Sequence, residues 1–502
     1  MLFESSACEE EREVQSGYSC AQQCLLNEST GYREKRIQHS ADVEELIRAL
    51  GGLNLEKDYW LQTAERVKSL DASECYEGTK QFRMMLSVSG EIPIQAVIDT
   101  GVVPKLVEFI SPAGDSCENP SLQFEAAWAL TNIASGTGTQ TEVVVGSGAI
   151  PSFIRLLDSS REDLREQGMW GLGNIAGDRA DYRDAILAVP GIIQKFVDAC
   201  RRSRRVSTTR TGMWSLSNLC RGKPRPKFQL VSPAVPYLSQ VLHSSSDDDT
   251  LSDACWALDG LSEHPTGIAT MLSHSVVPIL CRLLSHRELV VQRPALRVIG
   301  QIAAGDTEQT QEVIDHGVLF NLKVLLDSPR KSIRKDACWT LSNISAGSAT
   351  QLQGVLSAGV IPKLVEVFRS DNELEVKKEA AWAICNACTS RKQEHLEYLI
   401  SSHCVQPVCE MLTIDDLKIL EVALEALDNI LEFGKQMQQL LNQPGNVCVE
   451  LVKNCEGFSY LYNLHHVTQG FGSFAVWEKS GRILEQWKAH PQQSQQQLTQ
   501  AW

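Results

Sequence analysis

The sequence has little that would place the protein in a membrane or on nucleic acid. No apolar stretch approaches the 18 or so residues of a membrane-spanning helix, and the start "MLFESSACEEEREVQ" has no basic segment followed by an apolar run. A formal net charge of −15 disfavours a protein that binds a phosphate backbone, because such proteins concentrate positive charge on one surface. Basic protein partners in the cytoplasm or nucleus are therefore the expectation.

Motifs for metal binding and catalysis are also scarce. No CxxC pair is followed by a second one, and "HCVQPVC" at 403–409 lacks the spacing of a tetrahedral zinc site. Many of the 16 cysteines lie inside apolar helical pattern, among them Cys255, Cys338 and Cys385, where a reduced cysteine behaves as a small buried hydrophobe. We expect no metal, no cofactor and no catalytic residue.

What the chain does contain is an internal repeat. The stretch "EAAWALTNIASGT", residues 125–137, places a tryptophan and an asparagine four residues apart, and the pair returns in "QGMWGLGNIAGD", "TGMWSLSNLCRG", "DACWTLSNISAG" and "EAAWAICNACTS". The period is about 42 residues, and Arg297 stands in "PALRVIGQIAAGD" where a tryptophan is due. This period is typical of armadillo and HEAT arrays, in which units of two or three helices stack on their neighbours.

Glycine and proline punctuate each repeat, as in "GVVPKLVEF", "GAIPSFIRLL" and "GVIPKLVEVF". Glycine after a helix and proline near the next helix start are the expected signals. The period extends back to about residue 57 and forward to about 490, with atypical ends. The sequence thus predicts an all-α, armadillo-repeat right-handed superhelical solenoid of about ten repeats over 57–490. A divergent, largely disordered segment 1–56 precedes it, and a polar tail 491–502 follows it.

Helix geometry predicts which way the tryptophans face. On a helix, Leu130 and Ile133 lie about 200° and 140° from Trp128, whereas Asn132 lies about 40° from it. The aliphatic stripe can then pack into the array, leaving the tryptophans and asparagines on the opposite face. A tryptophan in a helical repeat is most often a core residue, but a ladder of exposed indoles is costly unless something binds there.

Such a ladder suits a basic, extended peptide. Parallel indoles accept the stems of lysine or arginine, with a cation–π attraction of about 0.5–2 kcal/mol per contact. An asparagine amide carries a donor and an acceptor, so it can bind the main chain of the peptide. Recurrent acids beside the ladder favour a negative groove. These acids are Glu125, Glu166, Asp178, Asp253, Asp336 and Glu379.

The stretches "WALTNIASGT", "WGLGNIAGD", "WSLSNLCRGKPRP", "ALRVIGQIAAGD" and "WTLSNISAG" resemble the armadillo repeats of importin-α, the adaptors that carry proteins with basic nuclear localisation signals. The order of the variant repeats also matches. The resemblance implies a concave groove with a major and a minor peptide site on either side of the arginine repeat. The implied major-site residues are Trp128, Asn132, Gln167, Trp170, Asn174, Asp178, Trp214 and Asn218, with Asp178 taking the key lysine. The implied minor-site residues are Arg297, Asp336, Trp339, Asn343, Glu379, Trp382 and Asn386.

The resemblance also implies partners. These are cargo proteins with basic signals, a carrier of the importin-β family and an export receptor at the C-terminal repeats, in the cytoplasm and the nucleus. Importin-α begins with an arginine-rich arm that binds the carrier and otherwise folds back into the groove. Residues 1–40 contain only four Lys and Arg against seven Asp and Glu, so we expect an open groove and altered carrier recruitment. Gln301 and Gly260 depart from the family pattern and predict a weaker minor half.

Other functions fit the repeat less well. A catenin-like scaffold for cytosolic partners would line its groove chiefly with lysine and arginine, whereas this ladder offers tryptophan, asparagine and acids. A truncated importin-α form that cannot recruit the carrier is a further alternative. An armadillo ubiquitin ligase would need an extra domain, for which the first 55 or so residues leave little room. We interpret "RRSRR" at 201–205 as a solvated inter-helix segment.

Overall fold

The computed structural model describes residues 57–88, 92–111, 119–468 and 473–487, and within these ranges the chain is helical with no β-strand. The described residues form two compact units, one ending at Leu261 and the other beginning at Ser262. The expected disordered segment 1–56 and the tail 491–502 lie outside the described residues. No described helix combines the length and the apolar character that a membrane span requires.

After a first repeat with two described helices, each repeat of the first unit consists of a short first helix, a second helix and a longer third helix. In one repeat a short helical turn, Ser232–Ala234, lies between the first and second helices. The helices are α1 Lys57–Val67, α2 Ala72–Met85, α3 Ile94–Asp99, α4 Val103–Ile110, α5 Pro120–Ala134, α6 Gly138–Gly146, α7 Ala149–Leu156, α8 Glu162–Asp178, α9 Ala180–Leu187, α10 Ile192–Arg201, α11 Val206–Cys220, α12 Phe228–Val231, α13 Val235–Ser244 and α14 Asp248–Ser262, whose last residue already belongs to the second unit.

The second unit repeats the same three-helix pattern. Its helices are α15 Gly267–Ser273, α16 Val276–Leu283, α17 Leu289–Ala303, α18 Thr307–Asp315, α19 Val318–Leu325, α20 Lys331–Ser345, α21 Ala349–Ser357, α22 Ile361–Ser370, α23 Leu374–Cys388, α24 Gln393–Ser401, α25 Val405–Met411, α26 Leu417–Leu440, α27 Val447–Asn454, α28 Gly457–Thr468 and α29 Phe474–Gln486.

The third helices are α2, α5, α8, α11, α14, α17, α20, α23, α26 and α29. Five of them, α5, α8, α11, α20 and α23, carry the repeated tryptophan–asparagine pair. The ten third helices within the described residues confirm the predicted all-α array of about ten armadillo repeats. Successive third helices pack on one another, α5 on α8 and α8 on α11 in the first unit, and α20 on α23 and α23 on α26 in the second.

The turn between the first and second helix of a repeat requires a left-handed residue. Gly148 and Gly317 take φ values of 84° and 78° there, which cost nothing without a Cβ atom. Ser275 and His403 hold the same place with φ values of 55° and 64° in two other repeats. The prediction that glycine marks this turn is therefore confirmed for these repeats. In two other repeats a serine or a histidine takes the left-handed conformation, so glycine is absent from the turn.

The aliphatic stripe of each third helix forms the core, as predicted. Leu130 and Ile133 on α5, and Leu172 and Ile175 on α8, have no solvent-exposed surface. Full burial of such a side chain stabilises the fold by about 1.5–3 kcal/mol. Packing of this stripe fixes the rotation of each third helix and so determines where its tryptophan and asparagine lie.

Candidate functional site

The structure places both sets of predicted site residues on adjacent third helices, each set inside one unit. Helices α5, α8 and α11 of the first unit pack in succession, as do α17, α20 and α23 of the second. The first set is Trp128 and Asn132 on α5, Gln167, Trp170, Asn174 and Asp178 on α8, and Trp214 and Asn218 on α11. The second set is Arg297 on α17, Asp336, Trp339 and Asn343 on α20, and Glu379, Trp382 and Asn386 on α23.

The tryptophans are not equally exposed. The side chains of Trp128, Trp170, Trp339 and Trp382 are half-buried, whereas Trp214 is 2% exposed. The expectation of an exposed indole is therefore wrong for Trp214, and also for Trp256, which is 4% exposed. The ring of Trp214 lies edge-on to that of Trp170, with centroids 6.4 Å apart and planes 62° apart.

Glycine on the preceding third helix makes room for two of these indoles. A Cβ atom on Gly173 would lie 2.6 Å from Cζ3 of Trp214, and one on Gly300 would lie 2.3 Å from Cζ3 of Trp339. These distances are too short for any larger residue, so the ring lies directly over the glycine backbone. The residue just before the repeated asparagine position is thus part of the site, which the sequence analysis missed. The recurrence of Thr, Gly, Ser and Cys there was the available signal.

The asparagines form a regular series of hydrogen bonds between repeats. Nδ2 of Asn174 donates to the main-chain oxygen of Thr131 at 3.0 Å, and Nδ2 of Asn218 donates to that of Gly173 at 3.1 Å. Asn132 begins the series by donating to the main-chain oxygen of Leu86 at 2.9 Å. Each bond holds the carboxamide in one plane and fixes its direction. The asparagines are therefore rigid groups rather than mobile surface amides.

The second unit continues the pattern with one weaker member. Nδ2 of Asn386 donates to the main-chain oxygen of Ser342 at 3.1 Å and to its hydroxyl at 3.0 Å. Nδ2 of Asn343 reaches the main-chain oxygen of Gly300 only at 3.4 Å. The carboxamide of Asn343 is consequently held less firmly than that of Asn386.

Acidic and polar groups lie beside the tryptophans of the first unit. Gln167 is 1% exposed and Glu166 is 9% exposed. Burial raises the pKa of the Glu166 carboxyl, although hydrogen bonds from the hydroxyls of Thr208 and Ser207 oppose the rise. Thr208 Oγ1 donates to Glu166 Oε2 at 3.1 Å. Glu166 therefore ties α8 to α11 close to Trp170.

Asp178 occupies a position that favours negative charge. It is the last residue of α8, and its half-buried carboxylate lies next to the N-terminal end of α6. A Cβ atom on Gly138, the first residue of α6, would lie 3.6 Å from Asp178 Oδ2. The positive end of the α6 dipole stabilises the carboxylate, while the C-terminal carbonyls of α8 add negative potential around it. This combination attracts a cation.

Arg83, which the sequence analysis did not select, lies against Trp128. Its guanidinium carbon is 4.7 Å from the centre of the Trp128 ring, and Nε donates to Glu125 Oε2 at 2.6 Å. Arg83 and Glu125 are 8% and 7% exposed. The chain thus places its own arginine on an indole in the arrangement expected for a peptide cation, at the first repeat of the array.

The acids of the second unit have basic neighbours. Arg293 Nε lies 3.8 Å from Asp336 Oδ2, and Lys335 Nζ lies 3.1 Å from Glu375 Oε2. Asp336 is 4% exposed. These ion pairs partly neutralise the negative charge on the face that carries Trp339 and Trp382. Arg297, at the tryptophan position of α17, adds a further cation.

The pKa of Glu379 lies well above the ordinary value of a glutamate carboxyl. Burial, together with the neighbouring carboxylates of Asp336 and Glu375, raises it to about 7 against the lowering effect of Lys335. This carboxyl lies three residues before Trp382 on α23. Its charge, and so the affinity of its surroundings for a cation, depends on pH between about 6 and 8.

The cysteines of the third helices are buried in the core and do not contribute to this surface. Cys255, Cys338 and Cys385 are at most 1% exposed, as predicted, and burial raises the pKa of each thiol above its usual range. Such thiols remain protonated and unreactive. Among the described residues, no group of three or more His, Cys, Asp or Glu side chains could hold a metal ion.

Comparison with known proteins supports this architecture. The Armadillo/beta-catenin-like repeat family matches residues 91–135, 139–177, 264–304, 306–346 and 353–389. The chain is 42% identical over 451 residues to importin subunit alpha-1b of Oryza sativa subsp. japonica, covering 89% of this chain and 80% of that protein. It is also 42% identical over 440 residues to importin subunit alpha-3 of Arabidopsis thaliana, covering 87% and 81%.

A solved structure shows a similar fold. The crystal structure of an engineered protein from the Northeast Structural Genomics Consortium matches with a TM-score of 0.74, covering 86% of this chain and 99% of that one. Its sequence is 24% identical, so the likeness concerns the fold alone. Together with the repeat matches, it identifies the array as an armadillo fold.

Proposed function

Because this chain belongs to the importin-α family of armadillo-repeat proteins, we propose that it is a nuclear import adaptor that binds the basic nuclear localisation signals of cargo proteins. Proteins of this family are adaptors and not enzymes, and the inert, buried thiols are consistent with that role. The binding surface is the tryptophan- and asparagine-bearing face of the third helices.

One observation carries the proposal. The asparagine amides are held in fixed planes by bonds such as Asn174 Nδ2 to Thr131 O at 3.0 Å, next to half-buried indoles. A carboxamide carries both a donor and an acceptor, which are the groups that bind an extended peptide backbone. Because successive third helices present the same pair, the peptide is held mainly through its backbone and by its long cationic side chains.

The half-buried indoles of the first unit favour peptides that carry lysine and arginine. The Arg83 guanidinium on the Trp128 ring, at 4.7 Å, shows within the chain itself how a cation lies on such an indole. Asp178 supplies the charge for a lysine ammonium near Trp170: the positive end of the α6 dipole keeps its carboxylate ionised, and the C-terminal carbonyls of α8 add negative potential. The predicted major site therefore lies in the first unit.

The second unit offers a weaker site. Arg293 and Lys335 pair with Asp336 and Glu375, so a peptide cation must compete with internal cations. The longer bond of Asn343, at 3.4 Å, adds to this weakness. We expect a single basic cluster to prefer the first unit, and a signal with two clusters to engage both.

Partners follow from the family. The relatives are named as importin subunits, so we propose that the chain joins a carrier of the importin-β family, with an export receptor at the C-terminal repeats. It would then act in both the cytoplasm and the nucleus. Segment 1–56, in which the sequence shows no recognisable arm for the carrier, lies outside the described residues, so the open groove and the altered recruitment of the carrier stay predictions.

Binding of a short, fluorescently labelled peptide rich in lysine and arginine tests the function. The labelled peptide is titrated with the unaltered chain and with Trp170→Ala and Asp178→Lys variants, and its anisotropy is followed at two salt concentrations. Micromolar or tighter affinity is expected for the unaltered chain. Each variant should lose at least about tenfold, since a cation–π contact or an ion pair of 1.4 kcal/mol corresponds to that factor.

Two control variants test whether a loss of affinity comes from the site itself or from any change of charge or loss of an aromatic ring. Asp198→Lys makes the same charge change on an exposed residue of α10, and Phe320→Ala removes an aromatic ring that is 73% exposed on α19. Both should bind the peptide as the unaltered chain does. If the folded, helical chain does not bind the peptide, or if the controls lose as much affinity as the site variants, the proposed function is wrong.

A further inference from the structure

A cleft in the first unit lies between two inter-helix connections, and no tryptophan lines it. It has a volume of about 420 Å³, and it is lined by Arg201 at the end of α10 and by Arg204 and Arg205 in the connection to α11. The segment 244–246, at the end of α13, lines it from the other side. We propose that Ser246 is a phosphorylation site whose phosphate binds the arginines of this cleft.

The three serines of this segment are not equivalent. Ser244 Oγ donates to the main-chain oxygen of Gln240 at 2.9 Å, and Ser245 Oγ accepts from the main-chain nitrogen of Asp247 at 3.1 Å. Ser246 is exposed, and its hydroxyl is bonded to none of the residues that the structure describes. It also lies in the short non-helical link between α13 and α14. Ser246 is thus the hydroxyl that a kinase can reach without breaking a bond.

The sequence after Ser246 suits one class of kinase. Asp247, Asp248 and Asp249 follow it directly, so the acceptor is marked by negative charge on its C-terminal side. A protein kinase with a basic substrate groove selects such serines by charge complementarity. In the reaction, Ser246 Oγ bonds to the γ-phosphorus of ATP as the bond to the β–γ bridging oxygen breaks. ADP leaves, and the hydroxyl proton passes to the catalytic aspartate of the kinase.

The cleft is arranged to hold the product. Arg201 lies over the ring of Tyr237 at 5.3 Å and donates to Gln240 at 3.4 Å, which keeps its guanidinium at the cleft wall. Arg204 is exposed, and only its main-chain nitrogen is used, donating to Glu162 at 2.9 Å. A phosphoserine facing an arginine cluster forms charge-assisted hydrogen bonds that order a segment.

The connection that bears Ser246 is already fixed close to α11. Arg210 Nε donates to both carboxylate oxygens of Asp247, at 2.9 and 2.8 Å, and Arg210 also lies 3.6 Å from Asp249. Asp247 and Asp249 are therefore engaged by Arg210, which leaves the side chains of Arg201 and Arg204 to an added anion. The phosphate would join the connection that precedes α11 to the one that precedes α14.

The test begins with phosphorylation of the full chain by an acidophilic kinase and ATP, with the modified residue located by tandem mass spectrometry. The phosphate is then titrated by ³¹P NMR. A free phosphoserine has a second pKa of about 6. In the folded chain the arginines should lower this pKa by about one unit or more relative to the phosphorylated peptide of residues 240–252.

Variants decide whether the arginines are responsible. In an Arg201→Ala/Arg204→Ala chain the phosphate should titrate as in the peptide, whereas the exposed pair Arg287→Ala/Arg391→Ala should leave the lowered pKa unchanged. Ser246→Ala should abolish modification at this position. The proposal is overturned if Ser246 of the folded chain is not modified, or if its phosphate titrates alike with and without Arg201 and Arg204.

Discussion

Nδ2 of Asn386 donates a hydrogen bond to the main-chain oxygen of Ser342, 44 residues earlier, at a distance of 3.1 Å. The separation is one residue more than the 43 between Asn343 and Asn386, so the bond joins the asparagine of one third helix to the residue just before the asparagine of the preceding one. The same carboxamide that we propose for peptide binding therefore also stabilises the array. Stability and affinity have to be measured separately for every variant of this series.

The asparagine bonds predict a graded loss of stability. Asn386→Ala removes bonds of 3.1 and 3.0 Å to Ser342, whose carbonyl keeps only its helical bond from Ala346 N, so it should lower the free energy of unfolding by about 1–2 kcal/mol. Asn343→Ala removes a bond of 3.4 Å and should cost less than half as much. Urea denaturation followed by circular dichroism measures both. Equal losses in the two variants would show that these hydrogen bonds do not determine how much stability each asparagine contributes to the array.

The glycines under the indoles predict a steric effect. Gly173→Ala would place a Cβ atom 2.6 Å from Cζ3 of Trp214 and should destabilise the chain by about 1–3 kcal/mol as the ring is displaced. It should also weaken peptide binding, because Trp214 contacts Trp170.

Gly146→Ala is the matched control for that variant. Gly146 is the last residue of α6, and a Cβ atom there would meet nothing within 4 Å. This change should raise stability by a few tenths to about 1 kcal/mol, because alanine restricts the unfolded chain. Thermal melts of the two variants should shift in opposite directions. A loss of stability in both would mean that the contact with Trp214 is not the cause.

Much of the fold could be predicted from the sequence, because a repeat imposes one solution many times. The spacing of Trp128, Trp170 and Trp214 predicted where the third helices lie along the chain. The aliphatic stripe predicted which side of each helix faces the core. The exposure of each indole could not be predicted in this way. Burial of Trp214 depends on Gly173, which lies on another helix, and helical periodicity within one helix contains no information about that contact.

The role of Arg83 was missed for a related reason. Its helix, α2, is the third helix of the first repeat and has no tryptophan, so the Trp–Asn pattern does not reach it. A signal was nevertheless present, since Arg83 precedes Glu125 by 42 residues, one repeat period. Opposite charges one period apart on third helices are candidates for ion pairs between repeats.

The pair of Arg83 and Glu125 predicts a strongly non-additive double-mutant cycle. Arg83→Met leaves a buried carboxylate without its partner and should lower the free energy of unfolding by about 3–5 kcal/mol. Arg83→Met/Glu125→Leu removes both charges and should recover most of that loss. Chemical denaturation of the two single variants and the double variant gives the coupling. If the double variant loses as much as the sum of the single ones, the pair is not energetically linked.

Glu379 predicts a dependence on pH that differs between stability and binding. Its folded-state pKa of about 7 exceeds the ordinary value of 4.5, so the folded chain keeps a proton that the unfolded chain loses. This contribution to stability is fully present below pH 4.5 and disappears as the pH rises through 7. Glu379→Gln should therefore be more stable than the unaltered chain at pH 8 and have no such advantage at pH 4.5.

Peptide binding at the second unit should show the opposite trend, because a cationic peptide favours the ionised form of Glu379. With the first-unit site removed by Trp170→Ala/Asp178→Lys, affinity should rise roughly tenfold between pH 6 and pH 8 as this carboxyl ionises. Anisotropy titrations across that range, repeated with Glu379→Gln in the same background, measure the effect. An equal rise in the glutamine variant would assign the pH dependence to another group, because an amide cannot ionise.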